Sequence, residues 1–139
     1  MTRKIRKRTR LAALLLAVSG SAGAHAVGKQ VWIEVEGGAW TPDTRTMAGI
    51  KAGIEAFARV QAQANGRELK AWTDYTFQYQ GRQSGDGKSV FINAFCTDGG
   101  NRDLDKDMVV VMDGGSCFFN LKYDPNTERF YDIIIHGDA

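Results

Sequence analysis

The chain is poor in several residues that would otherwise direct its reading. In 139 residues it has two prolines, two histidines and two cysteines. With one histidine, His25, inside an N-terminal segment that reads as a leader, His136 stands alone, which excludes a multi-histidine metal centre. No apolar run approaches the ~20 residues that span a bilayer, so a retained transmembrane anchor is not expected. There is no internal repeat, low-complexity tract or linker to mark a second domain. A Lys/Arg cluster is also missing outside the first ten residues, which argues against nucleic acid as a partner.

What is present begins with the leader. Residues 1–26 place basic residues (Arg3, Lys4, Arg6, Lys7, Arg8, Arg10) before an apolar run from Leu11 to Val18, then small residues ending Ala24-His25-Ala26. That is the layout of a secretory signal peptide cleaved after Ala26. It lacks the paired arginines of folded-protein export, and no cysteine near the cleavage point could carry a lipid, so no membrane anchor survives processing. Taking these six cations from the 18 Lys plus Arg leaves 12 against 16 Asp plus Glu, a charge of −4 on residues 27–139. The basic pI therefore belongs to the leader, and the remainder has the length of one domain with one core. The expected location is periplasmic or secreted.

Both cysteines, Cys96 and Cys117, lie in the exported part, where an even pair reads as a disulfide. Each sits in a β-like run, "SVFINAFC" and "SCFFNLKY", so a hairpin would set them side by side. The bridge would close a loop of about 20 residues, worth roughly 3 kcal/mol in chain entropy. A nucleophilic Cys117 would need a base or a positive field; His136 is the one base, and Asp113 would raise the thiol pKa. Gly114-Gly115 then read as a bulge or bend in a strand.

Alternation in "KQVWIEVEGGAW" predicts a half-buried strand ended by Gly37-Gly38. A long helix follows in "TPDTRTMAGIKAGIEAFARVQAQANG", with Thr41 as cap, Pro42 in the first turn, Asp43 at the positive end and Asn65-Gly66 as the stop. Met47, Ile50, Ile54, Phe57 and Val60 form its predicted core face. Ala48, Gly49, Ala52, Gly53 and Ala56 form a small stripe that would let the helix approach a sheet. Four strands follow: "LKAWTDYTFQYQG" with Tyr75, Phe77 and Tyr79 on one face, "KSVFINAFC", "MVVVMDGGSCFFNLKY" and "RFYDIIIHG". The expected fold class is α+β: one long helix packed on a four- to five-stranded antiparallel meander in a single domain, residues 27–139.

This order of elements, over Lys29 to His136, resembles the cystatin-like fold, in which a sheet grips one helix. In the cystatins proper the resemblance implies a protease-binding wedge of an N-terminal glycine, a Gln-x-Val-x-Gly hairpin and a Pro-Trp hairpin. The positions in similar places here are Gly37-Gly38, "QYQGR" around Gln78, Gln80 and Gly81, and "DPN" around Pro125; the valine and the tryptophan are absent, so the inhibitory motifs are not matched. The pattern "INAFC…DGGSCFF…YD…HGDA" also resembles small exported bacterial proteins.

Three further motifs carry chemistry-bearing residues. "GDGKS" ends like a phosphate-binding loop, but Arg82 stands where its first glycine belongs and a strand follows, so it reads as a hairpin turn. Asp103, Asp105 and Asp107 alternate as at the start of a calcium loop, yet Met108 and Gly114 occupy the positions of the required glycine and glutamate. The stretch Asp98–Asp107 reads as a solvated loop, with a nonstandard calcium site helped by Asp98 or Asn101 as the alternative, and no metal or cofactor is expected. Asp132 and His136 on the last strand could form an acid/base pair.

The central strands are apolar on both faces: Phe91 and Phe95 oppose Val90 and Ile92, Phe118 opposes Phe119, and Val109–Val111 is continuous. One helix covers one face, so the other must meet the first strand with Trp32 and Trp40, the chain's own termini, a second copy of the chain, a ligand or a partner protein. The sequence therefore reads as an exported noncatalytic protein-binding module, an inhibitor or immunity-type protein of the cell envelope, with homodimers through the exposed sheet face also admitted. The hairpin loops "QYQGRQSGDGK" and "YDPNTE" fall at one end of a meander, making Gln80, Arg82, Asp124 and Asn126 the candidate binding residues. The alternative is a cone-shaped small-molecule binder or enzyme of ketosteroid-isomerase type, using Asp132 and His136 in an enclosed pocket lined by Phe57, Tyr75 and Phe77.

Overall fold

A computed structural model describes residues 29–137; the segment expected to be a leader, residues 1–26, lies outside the described residues. The elements run β1 (Trp32–Glu34), α1 (Thr44–Ala64), a 3-10 turn (Trp72–Asp74), β2 (Thr76–Ser84), β3 (Gly87–Phe95), a second 3-10 turn (Gly115–Cys117), β4 (Phe118–Asp124) and β5 (Arg129–Ile135). The five strands form one sheet in sequence order, and the architecture is α+β. The sheet is mixed: β1 pairs with β2 in parallel, and the rest is antiparallel. This corrects the pure meander. The chain leaves β1, returns along the helix and enters β2 in the same direction, and a parallel neighbour needs such a crossover.

The helix begins later than the Thr41-Pro42 pair suggests. Asp43 is the cap: its backbone is extended and its Oδ1 accepts a hydrogen bond from Thr46 N at 2.7 Å. Its buried side chains are Met47, Ile50, Ile54, Ala58 and Ala62. Phe57 is half-buried and Val60 is 62% exposed, against expectation. At 100° per residue Val60 turns well away from the stripe that Ile54 and Ala58 continue. The small stripe also divides. A Cβ on Gly49 or Gly53 would meet Tyr123 or Phe130, while Ala48, Ala52 and Ala56 face outward.

The space between helix and sheet is filled by rings. Trp32 stacks on Phe77 at 4.3 Å, Trp72 lies 5.2 Å from Phe77, and Tyr75 meets Phe119 edge-on at 5.1 Å. Phe57 stacks with Phe130 at 5.4 Å. Phe57, Tyr75 and Phe77, the residues expected to line a pocket here, are thus engaged with one another's neighbours in the core. Gly81 is required at the β1 end of the sheet: Trp40 bridges to it, and a Cβ there would collide with the Trp40 carbonyl.

The run Met108–Ser116 is not a strand. β4 starts only at Phe118, and the 22 residues from Cys96 to Cys117 form an irregular connection closed by the Cys96–Cys117 disulfide, with Cα atoms 5.1 Å apart. Its valines read as a strand because they are β-branched and contiguous. Only Val109 of them is buried, and it is buried by lying across the sheet rather than within it.

Candidate functional site

Strand register sorts the sheet's side chains into two faces. Tyr79, Ile92 and Leu121 fall on the helix side, and so do Phe77, Ala94 and Phe119. The opposite face carries Gln78, Asn93 and Asn120 at one level, Gln80, Phe91 and Lys122 at the next, and Phe95 with Phe118 near the disulfide.

The Cys96–Cys117 connection folds over this opposite face and is fastened there by two buried amides. Gln78 Nε2 donates to the carbonyls of Leu104 and Asp107, both at 2.8 Å. Gln78 Oε1 accepts from Val109 N at 2.8 Å and from Asn93 Nδ2 at 3.2 Å. Asn93 Nδ2 also donates to Val109 O at 2.7 Å. Both amide nitrogens and the Gln78 oxygen thereby find their partners within the protein, as burial demands. Val109 then packs with Phe95 and Phe118 in a second small core, flanked by Leu104, Val111 and Cys117. The far end is tied by the Tyr75 hydroxyl, which donates to Ser116 O; burial pushes its pKa above the usual value. Much of the second apolar face therefore meets the protein's own loop.

Beyond the loop the cover ends. An open groove of about 310 Å³ is lined by Arg82, Phe91, Asn93, Met108 to Val111, Asn120 and His136. Val110 is 68% exposed at its wall, Met112 two residues on is 86% exposed, and on β5 Ile134 and Tyr131 are 58% and 38% exposed. Register puts Ile134 beside Asn120 and Tyr131 beside Lys122, on the groove side of the sheet. The Arg82 guanidinium lies 3.9 Å over the Phe91 ring, its Nε donates to Gln80 Oε1 at 3.2 Å, and partial burial holds its pKa below the usual arginine value. Arginine stays charged at neutral pH regardless.

Of the candidate binding residues, Gln80 and Arg82 adjoin on β2. Asp124 and Asn126 belong to the β4–β5 turn, where Asp124 Oδ1 accepts from Asn126 N at 2.8 Å. Hydrogen bonds to this carboxylate lower its pKa. The turn borders Asp43, Arg45 and Thr46 at the start of α1, so Asn126 lines a different depression from the one Arg82 lines. Asp132 and His136 are each engaged elsewhere. Asp132 adopts φ 50° in a bulge opposite β4, with its Oδ2 3.0 Å from Lys122 Nζ. His136 Nε2 lies 3.4 Å from Asn120 Nδ2.

In the Asp98–Asp107 loop, the carboxyls of Asp103 and Asp105 compete for a proton as they titrate, which depresses the pKa of the first and raises that of the second, and Lys106 pairs with Asp103 at 2.7 Å. Among the described residues no three acidic, histidine or cysteine side chains gather as a metal needs. Nor is any helix there long and apolar enough to cross a membrane.

Sequence reasoning missed the pairing of Gln78 with Asn93. The available signal was two amides at inward positions of otherwise apolar strands, where burial requires partners. No protein-family model, no curated protein and no solved structure matches the chain.

Proposed function

We propose that the protein is an exported, noncatalytic protein-binding module, periplasmic or secreted, which holds its partner on the sheet face opposite the helix. The observation that carries this is the open groove walled by Phe91 and exposed Val110, with exposed Tyr131 and Ile134 on the same sheet face, an apolar surface in a domain whose helix side is already filled. Export is supported by the basic, apolar and small-residue order of residues 1–26 and by the disulfide. The noncatalytic reading is supported by both cysteines lying in the bridge and by the separate engagements of Asp132 and His136. An envelope-hydrolase inhibitor or an immunity protein would work through such a face. The kinship with cystatin-like folds belongs to this proposal too, supported by one helix laid along a sheet of this strand order.

The test is affinity capture from an envelope extract of the parent cell, with three baits: the oxidised protein, a Val110→Asp/Ile134→Asp variant, and a Gln80→Ala/Asp124→Ala/Asn126→Ala variant. The proposal expects a saturable partner lost with the first variant and kept by the second. Loss with the second variant alone would move the interface to the hairpin end. Retention by both would overturn it.

A further inference from the structure

Resting on the binding reading, we infer that the groove takes an extended, acidic-apolar segment of the partner, in which an Asp or Glu stands two residues from an apolar side chain. Residues 27–139 carry 12 Lys plus Arg against 16 Asp plus Glu, yet no carboxylate side chain lines this groove. Its charged group is Arg82, which has no carboxylate partner among the described residues and spends one N–H on Gln80. Lys122, on the next strand but one, is already neutralised by Asp132 at 3.0 Å. The groove is thus a basic spot on an acidic protein, and the exposed Arg82 guanidinium, 3.9 Å over the Phe91 ring, keeps further N–H donors in a planar fork that fits a carboxylate.

Geometry sets the spacing. The head of Arg82 lies at the level of Phe91, while the apolar wall of Val109 to Val111 runs toward Asn93 and Asn120, one level further along the strands. Levels on one sheet face are two residues, about 7 Å, apart, and an extended peptide offers side chains on one side at the same interval. A carboxylate on Arg82 therefore places the residue two positions away over Asn93 and the valines. There the Asn120 amide and His136 ring supply polar contacts to the segment's backbone. A basic partner segment would instead set like charges together, which suppresses binding.

The experiment is selection of a phage-displayed random-peptide library on the oxidised protein, followed by measured affinities of the selected peptides for variants. Enrichment of an acidic residue two positions from an apolar one is expected. Arg82→Gln should weaken these peptides by about tenfold or more, the effect of losing one charge-assisted contact. Arg82→Lys should restore part of it, and selection on Arg82→Glu should return Lys or Arg at the acidic position. Peptides lost on Val110→Asp/Ile134→Asp but showing no acidic preference, or indifferent to Arg82→Gln, would overturn this inference and leave the groove as the binding face. Peptides indifferent to every one of these substitutions, or no enrichment, would overturn both.

Discussion

Replacing Gln78 by leucine should release the disulfide-closed connection from the sheet while leaving the helix-side core in place. Gln78 is fully buried and makes four hydrogen bonds, three of them to backbone groups of Leu104, Asp107 and Val109. Each is worth about 1 kcal/mol net, so the loss is roughly 3–4 kcal/mol, offset in part by leucine's own burial. A small domain has only about 5–15 kcal/mol in total, so the variant should fold with a clearly lowered urea midpoint. Hydrogen exchange supplies the local readout. The Val109 amide should lose its protection in the variant, while the amides of β3 and β4 that pair with each other keep theirs. A variant that unfolds within about 1 kcal/mol of the parent, with the Val109 amide still protected, would refute the claim that Gln78 fastens the loop.

The remaining predictions concern other joints of the fold. Cys96→Ser/Cys117→Ser should cost roughly 3 kcal/mol by urea denaturation, since it reopens a loop of 22 residues from Cys96 to Cys117. Gly81→Ala should cost about 2 kcal/mol or more and alter tryptophan fluorescence, because the new methyl displaces Trp40, whose Nε1 donates to Arg82 O at 2.9 Å. Asp43→Ala should lower the melting temperature by removing the helix cap. Because hydrogen bonding to Thr46 depresses this carboxyl pKa below 3.8, the parent's advantage should be fully present above about pH 4 and fade as pH falls through the depressed value.

The helix and the five strands, β4 with too early a start, were legible in the sequence because local patterns fix them. Met47, Ile50 and Ile54 recur at helical spacing, Tyr75, Phe77 and Tyr79 alternate, and Gly85-Asp86 make a two-residue hairpin turn. The disulfide followed from even cysteine count and compartment. What local patterns cannot carry is the path between elements. Strand alternation in "KQVWIEVEGGAW" says nothing of whether that strand runs parallel or antiparallel to its neighbour, and the crossover decides it. Val109–Val111 has the composition of a strand, and only the long-range bonds of Gln78 and Asn93 draw it across the sheet as a covering loop. The groove arises where that cover stops, so Arg82, Phe91, Val110, Asn120 and His136, far apart in sequence, come to line one surface through the fold alone. Arg82 was singled out for its place near a hairpin; its significance in the structure comes from the Phe91 ring beneath it.

The central claim is that the half-covered sheet face, and not the helix or the hairpin end, is where the protein binds. A backbone chemical-shift map of the ¹⁵N-labelled oxidised protein, titrated with the best peptide selected on it, tests this most directly. The account predicts that perturbed amides cluster at Arg82, Phe91, Val110, Asn120 and Ile134, with the outer helix face of Ala48, Ala52 and Ala56 silent. Shifts concentrated on that helix face or in the Asp124–Glu128 turn would contradict it.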